Sequence, residues 1–177
     1  MIDGDVKLTQ SQAILRHIAR KHSLLGNDEL QMAIVDLVIE ESMDYNKRFW
    51  ATTYPQEFEK LLPDFLEKLP YYLKRTEAFL EGKRWFAGNN ITACDFLMWH
   101  QIEQVTLLEP KCLDEFPLLK AFLERFESLP ELEAYMKSDD FLHWPVNGKV
   151  QSIIYKAITT ELTCQLTTKF ILINTDL

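Results

Sequence analysis

The period of the apolar positions changes once, close to the start of the chain. Asp5-Val6-Lys7-Leu8-Thr9 alternates polar and apolar residues, the period of a half-buried strand, and Asp3-Gly4 just before it is a two-residue hairpin signal. Only Met1 and Ile2 precede the turn, so the first arm is short and the sequence reads as beginning inside a domain. From Ser11 the period becomes helical. Ala13, Ile14, Ile18 and Ala19 form one apolar stripe, with Arg16, Arg20 and Lys21 elsewhere on the cylinder. Gly26 predicts the end of that helix and Asn27 or Asp28 the cap of the next. Leu30, Ile34, Leu37, Val38 and Ile39 then mark a long helix that carries Asp36, Glu40, Glu41 and Asp44 and ends in Tyr45, Phe49, Trp50 and Tyr54.

After Pro55 a further helix buries Phe58, Leu61, Leu62, Phe65, Leu66, Leu69, Leu73 and Leu80, and Pro63 and Pro70 are expected to bend or interrupt it. Gly82, Gly88, Asn89 and Asn90 announce a loop. Thr92 and Asp95 then have the spacing of a capping box, and Ile91 and Phe96 that of a hydrophobic staple. The helix opened there, through Phe96, Leu97, Met98, Trp99 and Ile102, is apolar on most sides and is expected to be the central buried one. Helices from Phe116 to about Glu127 and from Pro130 to about Lys137 complete the core. Residues 150–177 carry only a short stripe, Ile153, Ile154, Ala157 and Ile158, and read as a divergent extension.

Composition narrows the function classes. The chain has 177 residues, 47% of them hydrophobic, enough to build a core. A formal net charge of −8 argues against a nucleic-acid-binding surface, which needs a basic face to displace counterions. Cys94, Cys112 and Cys164 have no CxxC spacing and suit a reducing, cytoplasmic setting. No signal peptide or membrane span is legible. His17 and His22 are five apart rather than at i, i+4, so no metal site is expected, and GxSxG, P-loop and GxGxxG motifs are absent.

The best candidate site is the junction Thr9-Gln10-Ser11. A helix that starts directly after a strand presents unpaired N–H groups and a partial positive charge suited to a carboxylate or phosphate, and Ser11 and Gln10 add a hydroxyl and an amide. Ser11 equally reads as an ordinary N-cap. Asp44 could receive an amino group or belong to a solvated acidic face. Tyr54, near Phe49 and Trp50, could line an apolar pocket and lend its hydroxyl to a developing charge, or simply pack.

These residues sit in blocks with a resemblance. Ile2 to Ser11, followed by Ala13-Ile14 and Ile18-Ala19-Arg20-Lys21-His22, closely resembles the mu class of cytosolic glutathione S-transferases. So do Ser42-Met43-Asp44, Pro55 to Leu61, Trp85-Phe86-Ala87-Gly88-Asn89, Ile91-Thr92 with Asp95-Phe96, Glu109 to Asp114 with Phe116-Pro117, and Ala134 to Ser138, in order and spacing. The resemblance spans roughly Ile2 to Lys149.

It implies a mainly α fold: an all-helical glutathione-transferase C-terminal domain over residues 27–149, preceded in residues 1–22 by the last strand and helix of a thioredoxin-like glutathione-binding domain. It implies glutathione as co-substrate, hydrophobic electrophiles as acceptors, and no metal. By matching positions, Gln10 and Ser11 hold the γ-glutamyl end of glutathione, Asp44 reaches the glutathione of the opposite subunit, Tyr54 assists some electrophiles, and Arg16 and Asp36 form charge pairs across the interface of a homodimer, or of a heterodimer with a full-length transferase.

No residue here matches the class's catalytic tyrosine, which favours the glutathione thiolate, so the chain alone is expected to be a weak enzyme or none. Val146 to Lys149 stands where the class closes its electrophile pocket. The alternatives are a non-catalytic module holding hydrophobic ligands against Phe49, Trp50 and Tyr54, and an interaction protein that pairs through its exposed helices.

Overall fold

The computed structural model describes residues 1–55 and 57–141; the extension at 150–177 and the Val146–Lys149 segment lie outside the described residues. The chain opens with an antiparallel hairpin, β1 (Ile2–Asp3) and β2 (Val6–Lys7), in which Ile2 pairs with Lys7 and Asp3 with Val6. Gly4 takes the tight turn at φ +58°, a conformation costly for a side-chain-bearing residue. Six helices follow: α1 (Ser11–Lys21), α2 (Glu29–Thr53), α3 (Phe58–Ala78), α4 (Ala93–Leu108), α5 (Pro117–Glu127) and α6 (Pro130–Met136). The mainly α expectation is thereby met.

One carboxylate ties the hairpin to α1. Asp3 Oδ2 lies 2.8 Å from His17 Nε2 and 2.6 Å from Lys21 Nζ. His17 and Lys21 are i, i+4 on α1 and so project on one side of it. Both donors lower the pKa of Asp3 below the usual carboxylate range, Lys21 most.

Helix α2 is the spine of the fold, and its cap is Asp28 rather than Asn27. The Asp28 carboxylate accepts the Gln31 N–H at 2.8 Å, which satisfies one of the orphan donors of the first turn. Its core face is Val35, Val38, Ile39, Ser42, Tyr45, Phe49 and Thr53, packed on α3 and α4. This corrects two expectations. Leu30 and Leu37 are exposed, at 73% and 51%, because the buried stripe is set one residue away from them. Phe49 is 2% exposed, stacked with Tyr45 and edge-to-face with Phe65 in the core, so it is no part of a ligand wall. On α1 the stripe is also displaced: Ala19 is buried and Leu15 packs on the core, while Ile18 is 43% exposed.

Helix α3 runs unbroken through Pro63 and Pro70, where an interruption was expected. Both prolines are exposed, to one side of the face formed by Phe65, Leu69 and Leu73. The carbonyls of Glu59 and Leu66, four residues back, lose their helical donors, but the proline rings themselves are exposed, where their disruption of packing is least.

Helix α4 is central as expected, against α1, α2 and α5, with Cys94, Met98, Ile102 and Val105 fully enclosed. The capping box at Thr92 forms. Asp95, 0% exposed, accepts the Thr92 N–H at 2.7 Å, the Thr92 hydroxyl at 2.9 Å and the Phe86 N–H at 2.9 Å. Burial nevertheless raises its pKa above the usual carboxylate value. Phe86, Phe122 and Phe126 then close the core around Trp85, over which the Arg125 guanidinium lies 5.2 Å from the ring centre.

Candidate functional site

The strand-to-helix junction is built differently from a simple cap. Ser11 is the first residue of α1, and the cap position is held by Gln10 at φ 69°, ψ 117°, without a side-chain capping bond. A glutamine at positive φ is strained. The twist it introduces turns the chain from β2 into α1 within three residues. Ser11 therefore does not spend its hydroxyl on its own helix. Among the described residues neither that hydroxyl nor the Gln10 amide has a hydrogen-bond partner, and both residues are exposed. The Gln10 carbonyl accepts the Ile14 N–H at 3.0 Å, which leaves the N–H groups of Ser11, Gln12 and Ala13 without a helical acceptor. Hydroxyl, amide and three N–H groups at the positive end of a helix are donors for a carboxylate.

Gln12 links this junction to the middle of α2. Its Nε2 lies 2.9 Å from Met43 Sδ, and its buried Oε1 has no partner among the described residues. Asp44 is the next residue on α2. Its carboxylate, 68% exposed, accepts from Lys47 Nζ at 2.9 Å, and that bond holds its pKa below the usual range. Tyr54 stands at the C-terminal cap of α2, 41% exposed, and nothing among the described residues bonds its hydroxyl. Met43 and Tyr54 are eleven residues apart, roughly 16 Å along the helix axis. The structure thus sets Gln10, Ser11 and Asp44 around the α1–α2 contact, while Tyr54 stands three turns away at the other end of the same helix.

Arg16 and Asp36 meet within one chain. Arg16 Nε is 2.7 Å from Asp36 Oδ1 and its Nη2 is 2.8 Å from Glu40 Oε1. Partial burial is the largest single effect on the guanidinium and lowers its pKa, but Asp36 and Glu40 together outweigh it and raise the pKa above the usual value. Glu40 was not singled out from the sequence, although Asp36 and Glu40 are i, i+4 and must share a face. Gln12 and Lys47 were missed as well. The first is legible only from the α1–α2 contact, the second from its i, i+3 spacing to Asp44.

A cleft between α2, α3 and α4 was not foreseen either. Glu41 and Arg75 pair across its mouth at 3.1 Å, Arg48 bonds the Tyr72 hydroxyl, and Tyr45 Oη and Gln101 Oε1 lie at its buried end with no partner among the described residues. Among the described residues no group of three His, Cys, Asp or Glu side chains is placed to hold a metal, and no helix is long and apolar enough to cross a membrane.

Residues 43–139 match the family model described as glutathione S-transferase, C-terminal domain. The chain is 45% identical over 150 residues to human glutathione S-transferase Mu 3, covering 85% of this chain and 67% of that protein. It is 48% identical over the same length to human glutathione S-transferase Mu 1, covering 69% of it. Among solved structures, the pi-class glutathione S-transferase of Onchocerca volvulus superposes with a TM-score of 0.77 at 32% identity, over 84% of this chain and 73% of that one. Nearly half of the aligned positions are shared with mu-class enzymes, and the chain belongs to the mu class of the glutathione S-transferase family.

Proposed function

We propose that this chain holds the γ-glutamyl end of glutathione at Gln10 and Ser11 and offers Tyr54 to a hydrophobic electrophile, in the reaction for which its class is named. The observation that carries the reading is the backbone of Gln10. A strained cap position that leaves a serine hydroxyl and three N–H groups unclaimed is costly for folding and useful for binding a carboxylate. Residues 1–22 supply the glutathione side and residues 27–149 the electrophile side. In the reaction the glutathione thiolate attacks an electrophilic carbon, a carbon–sulfur bond forms, and the leaving group departs with its electron pair or a ring opens to an alkoxide. The Tyr54 hydroxyl donates a hydrogen bond to that developing negative charge.

Asp44 serves the second subunit of a homodimer, or of a heterodimer with a full-length transferase, by receiving the glutathione ammonium bound there. The Lys47 ammonium lowers the pKa of the Asp44 carboxylate further below its ordinary value, which is consistent with that role. The setting is the cytoplasm, where glutathione is reduced. By itself the 177-residue chain is a weak catalyst or none, because none of its residues matches the tyrosine with which the class favours the thiolate.

Retention of the whole chain on immobilised glutathione tests the binding site. The wild-type chain is expected to be held and released by free glutathione, and the S11A and Q10A variants to pass through. Passage of the wild-type chain overturns the assignment. Rapid conjugation of chlorodinitrobenzene by the purified chain overturns the statement that it is a weak catalyst alone. A non-catalytic ligand-binding role is favoured by one observation, the exposure of Trp50 and Tyr54 at 38% and 41%. Binding of a fluorescent apolar probe that is lost in W50A, in a chain that glutathione does not hold, selects it.

A further inference from the structure

Helix α2 changes sign along its length. Its acids, Glu29, Asp36, Glu40, Glu41 and Asp44, all precede Lys47, and the stretch from Lys47 to Tyr54 contains Lys47 and Arg48 and no acid. In a chain of net charge −8 this is a local reversal, and it falls where the aromatic residues Trp50 and Tyr54 become exposed. Met43, Lys47, Trp50 and Tyr54 are spaced i, i+4, i+7 and i+11, so all four lie along one face of the helix.

That face begins beside the junction site, because Met43 is the residue that Gln12 touches. Measured along the axis from Met43, Lys47 stands about 6 Å away, Trp50 about 10 Å and Tyr54 about 16 Å. A molecule anchored at Gln10 and Ser11 and reaching Tyr54 therefore passes the Lys47 ammonium before it meets the aromatic pair. Arg48 is turned off this face and committed to Tyr72 of α3, with its guanidinium 5.0 Å from that ring centre. Lys47 is not so committed. Its side chain is 67% exposed and bonds Asp44 alone among the described residues, which uses one of its three donors.

We infer that Lys47 sets the class of electrophile this chain accepts: aromatic electrophiles bearing a carboxylate, with the ring against Trp50 and Tyr54 and the carboxylate on the Lys47 ammonium. Lys47 is a specificity residue and takes no part in bond making. The inference rests on the reading of Gln10, Ser11 and Tyr54 given above. The selectivity is modest, because an exposed ion pair gains little over solvation; a preference of about three- to fivefold in Kd is the appropriate scale.

The test is a matched pair of ligands, S-(4-carboxybenzyl)glutathione and S-(4-carbamoylbenzyl)glutathione, titrated into the 177-residue chain and its K47Q and K47R variants. The carboxylate is expected to bind about three- to fivefold tighter than the carboxamide, with the ratio falling to one in K47Q and retained in K47R. A ratio of one in the wild-type chain, or one that survives K47Q, overturns the inference. Equal weakening of both ligands in K47Q also overturns it, because the ammonium then reads the tripeptide, and the glutathione site itself stands. If neither conjugate binds, the glutathione reading fails, and 4-biphenylcarboxylate against 4-biphenylcarboxamide decides the question. A carboxylate preference abolished by K47Q supports the role of Lys47, and its absence ends it.

Discussion

Arg16 spans two carboxylates of α2, with Asp36 at 2.7 Å and Glu40 at 2.8 Å, so that α1 is fastened to the spine of the fold by one guanidinium. The acids are mostly exposed, and each pair gains correspondingly little. A double-mutant cycle on Arg16 and Asp36, followed by urea unfolding, is expected to give a coupling of about 0.5 kcal/mol that shrinks at high salt. If the same residues also serve a subunit interface, R16A lowers the dimer fraction in sedimentation more than D36N does, since Glu40 remains for Arg16 in the second variant. Equal loss in the two variants rules out that shared arrangement.

Gln10 offers a sharper separation of folding from binding. Glycine adopts positive φ without strain, so Q10G is expected to leave stability unchanged or raise it by about 1 kcal/mol, while retention on immobilised glutathione falls. Thermal unfolding and the column assay together check this. Lower stability in Q10G means that the side chain holds the fold, and the junction is then structural.

The acid limb of the stability curve carries opposing contributions. Asp3, Asp44, Asp114 and Glu133 have lowered pKa values through bonds to lysines, with His17 adding to Lys21 at Asp3. Their stabilisation is present above the ordinary carboxylate range and is lost as pH falls through the folded values. Asp95 acts the other way. Burial raises its folded value, so between the unfolded and folded values the native state binds more protons and stability declines as pH rises. D95N removes that decline, and its urea midpoint is expected to stay level with rising pH above the ordinary carboxylate range, where that of the wild-type chain falls. Its overall stability falls by roughly 2–3 kcal/mol, because a carboxamide cannot accept all three bonds.

Cysteine chemistry should be slow. Burial pushes Cys94 far above the ordinary thiol value and Cys112 up to about 12, with Glu109 adding to the latter. At pH 8 both thiols carry little thiolate. Peptide mapping after brief exposure of the folded chain to iodoacetamide is expected to find Cys94 and Cys112 unmodified. Prompt labelling of Cys94, which is fully enclosed, requires an opening of the α4 region.

The helices were legible because apolar spacing and capping residues act locally. Thr92 and Asp95 are three apart, and their box forms as the spacing requires. The displaced stripes of α1 and α2 show the limit of that reasoning. Ile18 and Leu37 are as apolar as many buried residues, and only contact with other helices decides which side of the cylinder turns inward. Pro63 and Pro70 were misjudged for a related reason: whether a proline breaks a helix depends on which face it occupies. In the candidate site, Gln10 and Ser11 were found by position, but the positive φ that frees Ser11 from capping depends on how β2 enters α1. The Gln12–Met43 contact joins residues far apart in sequence and left no local signal.

The bonds of Asp95 also bear on the order of events during folding. Phe86 and Asp95 are nine residues apart and Thr92 and Asp95 three, so this knot closes a short loop at small entropic cost. Helices α2 and α3, by contrast, meet through pairs more widely separated in sequence, such as Arg75 and Glu41, thirty-four residues apart. The start of α4 can therefore be native in the transition state while the α2–α3 seam is still open. Chevron analysis is expected to give a φ-value near 1 for T92A and a small one for L69A; the reverse order would place the first organised structure at the seam.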